Sequence, residues 1–156
     1  MEVMLIKSPT GALIPFSDED RDALAKVKTG DAVRVDVVRV RNPQFLKKFF
    51  CLVRFLFDIW QEGVKPKTYR GQEVKPNLER FRKDLIILAG HYEASYSILG
   101  DVRLQAKSIS FAKMTEEEFE DLYSQVINVA LTKVIDRPDL DEARVRHLVA
   151  QIMQYD

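Results

Sequence analysis

The 156-residue chain is predicted to fold as a single α+β domain, a small mixed or antiparallel sheet packed by about five helices. Three observations predict this class. The length suits one hydrophobic core. The composition, 46% hydrophobic and 31% charged, is that of a globular chain and not of a disordered or fibrous one. The apolar spacing switches between a period of two and a period near 3.6 without any internal repeat, which gives the order β, α, β, α, basic loop, α, ββ, α, α.

The apolar or β-branched positions Val3, Leu5 and Ile6, the turn Ser8-Pro9-Thr10-Gly11 and the short apolar run 12–16 predict an opening hairpin or strand. Ser17 reads as a helix N-cap, with Asp18, Glu19 and Asp20 complementing the dipole of a short helix that runs to about residue 28, before Thr29-Gly30. Val33, Val35 and Val37 alternate with Arg34, Asp36 and Val38, so residues 31–41 are expected to be the clearest strand of the chain.

Asn42-Pro43 supplies a cap and a tolerated first-turn proline for the longest helix, expected over 43–61. Its core stripe is Phe45, Phe49, Leu52, Val53, Leu56, Ile59 and Trp60. Phe50 and Phe57, seven residues apart beside Lys47 and Arg54, form a second face. Phe50, Arg54 and Phe57 are therefore candidate oligomer or partner contacts, the alternative being burial against another helix.

Residues 63–76, with Pro66, Pro76 and Gly71 among four cations, read as an irregular basic loop with Tyr69 in its middle. A helix from Asn77 to about residue 89 buries Leu78, Phe81, Leu85 and Leu88 and ends at Gly90. Residues 92–98 and 102–109 alternate around Leu99-Gly100-Asp101 as a hairpin. Thr115-Glu116-Glu117-Glu118 is a capping box for a helix reaching about residue 135. A last helix is expected over 139–156, a possible C-terminal extension, with Leu140, Val145, Leu148, Val149 and Ile152 apolar.

The net charge of zero conceals an asymmetry. Residues 1–90 carry 17 Lys and Arg against 12 Asp and Glu, whereas residues 91–156 carry 7 against 12. Residues 34–83 alone hold 13 against 5, and clustered cations gain by releasing condensed counterions from a polyphosphate. Arg39, Arg41, Lys47, Lys48, Lys65, Lys67, Arg70, Lys75, Arg80 and Arg82 are the candidate phosphate contacts. Tyr69 is the candidate stacking platform, since basic grooves with aromatic platforms are how single strands are bound. The competing explanation is a solvated face balanced by the acidic half.

Catalytic chemistry finds little support. Cys51 lies between Phe50 and Leu52 as a packing residue and has no cysteine to pair with. His91 and His147 stand without a placed Asp or Cys partner. The acids at 116–118 and 120 serve a helix first turn and diverge around the helix instead of converging on a metal. The glycines fall into no phosphate-cradling pattern. No enzyme, metal or cofactor is expected. No apolar run is long enough to span a bilayer, and Glu2 and Lys7 interrupt a signal sequence, so no membrane association and a cytoplasmic location, the host bacterial cytosol, are expected.

The stretch Arg39-Val40-Arg41-Asn42-Pro43-Gln44-Phe45-Leu46-Lys47-Lys48-Phe49-Phe50 resembles the hallmark of a phage-encoded family of unknown function, an arginine-asparagine segment followed by a lysine-phenylalanine-phenylalanine run. More remotely it is similar to the NinB or Orf recombination mediators of lambdoid phages, with Arg41, Asn42, Lys47, Lys48 and Phe50 at the matching positions. The element order agrees over most of the chain. The mediators' glutamine-asparagine pair is replaced here by Phe45 and Leu46, and the helix from Asp139 is not obviously theirs. The resemblance implies a homodimer without catalytic residues that binds single-stranded DNA and helps load or replace strand-exchange proteins, with a host single-strand-binding or strand-exchange protein as a partner. The expected function is thus a phage or prophage recombination accessory. The alternative is a phage protein that binds a host protein and inhibits or redirects it. A metal-dependent nuclease built on Glu116 and its neighbours is the remote third reading.

Overall fold

The structure, a computed structural model, describes residues 1–37, 42–109 and 111–154. The fold is α+β, with five α-helices and three separate two-stranded antiparallel ribbons among the described residues in place of one shared sheet. The chain divides into two compact units, 1–38 and 39–156.

In the first unit, β1 (Leu5–Lys7) pairs with β2 (Leu13–Pro15), Ile6 lying opposite Ile14. Gly11, at φ +90°, closes the turn in a conformation that only glycine adopts without strain. Helix α1 (Asp18–Leu24) starts with a reciprocal capping box between Ser17 and Asp20. The Asp20 carboxylate also accepts the Met4 N–H at 2.8 Å, tying the helix to the hairpin. The helix is shorter than expected, ending at Leu24.

The expected strand over 31–41 is not found in its described part. Residues 31–37 carry no ladder hydrogen bonds, and Val33, Val35 and Val37 are exposed. Alternation describes a chain that can be a strand, but a strand exists only where another edge takes up its hydrogen bonds. Residues 38–41, with Arg39 and Arg41, lie outside the described residues.

The second unit is built around α2 (Pro43–Glu62). Phe45 stacks on Phe119 at 4.5 Å with rings nearly parallel, and Phe49 meets Phe111 at 5.3 Å. Towards its other end, Phe57 and Trp60 pack on Phe81 of α3 (Leu78–Leu88) at 5.5 and 5.0 Å. Leu52, Val53 and Leu56 are buried along the same helix, joined by Leu85 and Ile86 of α3. Phe119, Leu122, Tyr123, Val126 and Ile127 of α4 (Glu116–Val129) and Val145 and Val149 of α5 (Glu142–Gln154) complete the core.

The second face of α2 is covered by the chain itself at Phe57 and only in part elsewhere. Phe57, expected at an oligomer or partner surface, is 9% exposed and belongs to the core between α2 and α3. Phe50 is half-buried, with the Arg82 guanidinium 5.7 Å from its ring, whereas Arg54 lies on the exposed side of the helix. The Asn42 side chain does not cap its own helix. It donates instead to the Phe111 and Met114 carbonyls at 3.1 and 3.2 Å, clamping the 3-10 turn Phe111–Lys113 that leads into α4.

Residues 67–74 of the expected basic loop form a ribbon, β3 (Lys67–Tyr69) against β4 (Gln72–Val74). Arg70 and Gly71 between them have φ +49° and +77°, the left-handed pair of a tight two-residue hairpin turn. β5 (Tyr92–Tyr96) and β6 (Val102–Ala106) form the expected later hairpin. Thr115 and Glu118 form the expected capping box of α4. That helix ends in a π turn, Ala130–Val134, where Thr132 donates its hydroxyl to the Asn128 carbonyl. No helix among the described residues is long and apolar enough to cross a membrane.

Candidate nucleic-acid interface

An open cleft of about 620 Å³ lies where the end of α2, the β3–β4 ribbon, α3 and the π turn meet. Each element contributes for a local reason. Helix α2 stops at Gly63, leaving Trp60 in its last turn and carrying the chain through Val64 and Lys65 along the cleft. The ribbon alternates, so Lys67, opposite Val74, shares one face with Tyr69 and Gln72, while Thr68 and Glu73 share the other. Pro76 halts the second strand, and Asn77 accepts the Arg80 backbone N–H at 2.8 Å, capping α3 where it enters the cleft. One turn on, Arg80 and Asp84 also line it.

The site collects Lys65, Lys67, Lys75, Arg80 and Lys133 around Trp60, Val64, Val74, Leu85, Leu88 and Val134, with Asp84 the one acidic lining residue among the described residues. Asp84 pairs with Arg80 at 3.2 Å, a surface contact that leaves the balance strongly positive. A basic rim around an apolar floor holds an anion that also carries a flat, weakly polar part.

Of the predicted phosphate contacts, four of the loop and α3 cations converge here: Lys65, Lys67, Lys75 and Arg80. Tyr69 and Arg70 stand at the tip of the ribbon. Tyr69 is 65% exposed, on the same ribbon face as Lys67, and the Arg70 guanidinium lies 5.3 Å from its ring. Lys47 is half-buried on α2 and does not line the cleft, and Arg82 is engaged with Phe50.

Lys48 belongs to a different cluster. Its ammonium is 3.1 Å from Glu120 and 4.7 Å from the centre of the Tyr123 ring, whose other cationic neighbour, Arg146, is 4.9 Å away. Arg146 bridges Glu120 at 2.7 Å and Glu142 at 3.1 Å, and Ser124 donates its hydroxyl to Glu142. Partial burial pushes the Glu120 carboxyl up, but hydrogen bonds and charge from Arg146 and Lys48 outweigh it and hold the group below the ordinary glutamate range. Lys48 thereby joins α2 to α4, held between the Glu120 carboxylate and the face of the Tyr123 ring. The Tyr123 hydroxyl is buried without a hydrogen-bond partner among the described residues, and burial raises its pKa.

Sequence reasoning missed two members of the cleft. Trp60 reads as core by its spacing, and it does pack on Phe81, yet it remains half-buried and lines the cleft. Lys133 comes from the acidic half of the chain, and no pattern around it marks it; the π turn is what brings it to the site. Glu116, Glu117 and Glu118 are exposed in the first turn of α4. Among the described residues no three His, Cys, Asp or Glu side chains are grouped to hold a metal.

The chain is an α+β protein of largely helical packing, with a basic, apolar-floored cleft fed by a short ribbon. It belongs to the family described as protein of unknown function DUF1367, which it matches over residues 1–66 and 63–155. No curated protein and no solved structure matches it.

Proposed function

We propose that this protein binds single-stranded DNA through the cleft and serves as a phage or prophage recombination accessory. The observation that carries the reading is the meeting of Lys65, Lys67, Lys75, Arg80 and Lys133 around an apolar floor. Phosphates on a strand answer the rim, and unstacked bases answer the floor. The resemblance of the 39–50 stretch to the mediators of lambdoid phages supports the accessory role. With it come the expectations of a homodimer and of a host single-strand-binding or strand-exchange protein as partner.

A labelled oligonucleotide titrated against salt tests the reading. Each neutralised phosphate on a single strand contributes about −0.7 to the log–log slope, so five engaged cations give about −3.5. Joint Lys65→Glu, Lys67→Glu and Lys75→Glu substitution should abolish binding. Absence of binding at low salt, or an unchanged affinity after charge reversal, removes the reading.

The alternative, a protein that captures a host protein, is favoured by one observation at a different place. Tyr92, Ala94 and Tyr96 of β5 lie opposite Ala106, Leu104 and Val102 of β6, which makes one ribbon face wholly apolar. Tyr96 is 83% exposed, and Ile98 and Leu99 at the tip are exposed as well. A stoichiometric host protein retained after nuclease treatment, and lost on Tyr96→Lys with Leu99→Asp, would favour this reading over the first.

A further inference from the structure

Resting on the single-strand reading, we infer that the cleft is a base-stacking site: one unstacked nucleobase lies against Trp60, and the phosphates flanking it are held by Lys65, Lys67, Lys75, Arg80 and Lys133. Three features lead there. The first is the composition of the floor. Val64, Leu88 and Val134 beside Trp60 offer nothing to a phosphate, so a purely electrostatic groove has no use for them, whereas a base has a π-face that an indole covers well.

The second is the way the indole is held. Phe81, a buried residue that also lines the cleft, lies 5.0 Å away and inclined by 31°, and buried Phe57 lies 5.9 Å away, so the ring is held by two packed neighbours. A platform fixed in advance loses little side-chain entropy when a base settles on it. The third is size. The cleft falls within the range of roughly 300–1,000 Å³ typical of small-molecule sites, enough for a base and its adjoining sugar-phosphates. In a duplex, moreover, base faces are stacked on one another and unavailable, so the site selects single strands by exposing a surface that only they can cover. Lys133, carried by the π turn, adds a fifth cation to the same lining.

Trp60 is the chain's only tryptophan, so its emission reports on this cleft alone. Three probes separate base from phosphate: a short oligothymidylate, an abasic oligonucleotide of the same length, and inorganic polyphosphate. Oligothymidylate should quench Trp60 as it binds. The abasic strand should bind about 5- to 150-fold more weakly and leave the emission unchanged, the fold-range expected for losing one stacked base. Polyphosphate should compete with both without quenching. Trp60→Leu should lower the affinity for oligothymidylate by a similar factor and leave that for the abasic strand intact. Lys133→Gln should reduce the salt slope by about 0.7.

Equal affinity for the two oligonucleotides with no quenching overturns the stacking site while leaving a phosphate-binding groove. Failure of both strands to bind overturns the single-strand reading itself. Should Trp60→Leu fail to fold, quenching in the unsubstituted protein decides the matter.

Discussion

At the scale of single residues, composition alone does not say what a cation does, and Lys48 makes the point. By composition it is one more member of a basic segment, yet its ammonium is committed to Glu120 and to the face of Tyr123. Glu120 holds two cations, and its lowered pKa has a definite consequence for stability. A carboxyl whose folded pKa lies below its unfolded value stabilises the fold above the ordinary glutamate range, near 4.3, and loses that contribution as pH falls through the lowered folded value. Glu142 acts in the same direction, held down first by the Ser124 hydroxyl and then, against some burial, by Arg146. Glu120→Gln should therefore cost about 1 kcal/mol or less at neutral pH, as befits a pair open to solvent, and less at an acid pH well below the ordinary glutamate range, where the carboxyl takes up its proton. Urea midpoints at the two pH values check this. An equal loss at both would mean that Glu120 acts by packing and not by charge.

At the scale of elements, the ribbon over 67–74 shows how far local chemistry can hide. Pro66, Pro76 and Gly71 mark breaks, and the cations among them read as loop. What makes a hairpin of them is the Arg70-Gly71 pair at positive φ, an arrangement whose twist matches the strands on either side. A Cβ added at Gly71 would meet nothing within 4 Å, so the cost of Gly71→Ala is conformational and not steric. It should amount to about 1 kcal/mol and be felt in the ribbon, as roughly five-fold faster amide exchange over Lys67–Val74. The core of the second unit should keep its unfolding midpoint, because no residue of the ribbon is buried. Exchange that stays slow in the ribbon would show that its neighbours, and not the turn, hold it. The opposite outcome befell residues 31–37, whose alternating valines look like a strand but find no second edge among the described residues.

At the scale of the molecule, the buried core among the described residues comes entirely from the second unit, from Leu46 to Val149. Every residue lining the cleft belongs to that unit as well. A fragment of residues 39–156 should consequently unfold cooperatively with a midpoint close to that of the full chain, and bind oligonucleotide with the same salt slope. Loss of cooperative unfolding, followed by circular dichroism, would show that residues 1–38 carry stability that their exposed side chains conceal.

The amino-acid sequence by itself determined what is local and periodic. The caps at Ser17 and Thr115, the long apolar helix from Pro43 and the hairpin around Gly100 follow from spacing and from hydrogen-bonding groups within a few residues of one another. Half of the candidate site was legible too, as the cations of 65–80. Only the tertiary structure decided which of those cations face a cleft and which are claimed by carboxylates far along the chain, as Glu120 claims Lys48 from 72 residues away. It alone brought Lys133 and Trp60 to the same place. The physical reason is range: a helix cap is a contact between near neighbours, whereas a charged cleft is an agreement among elements that meet only after the core has closed.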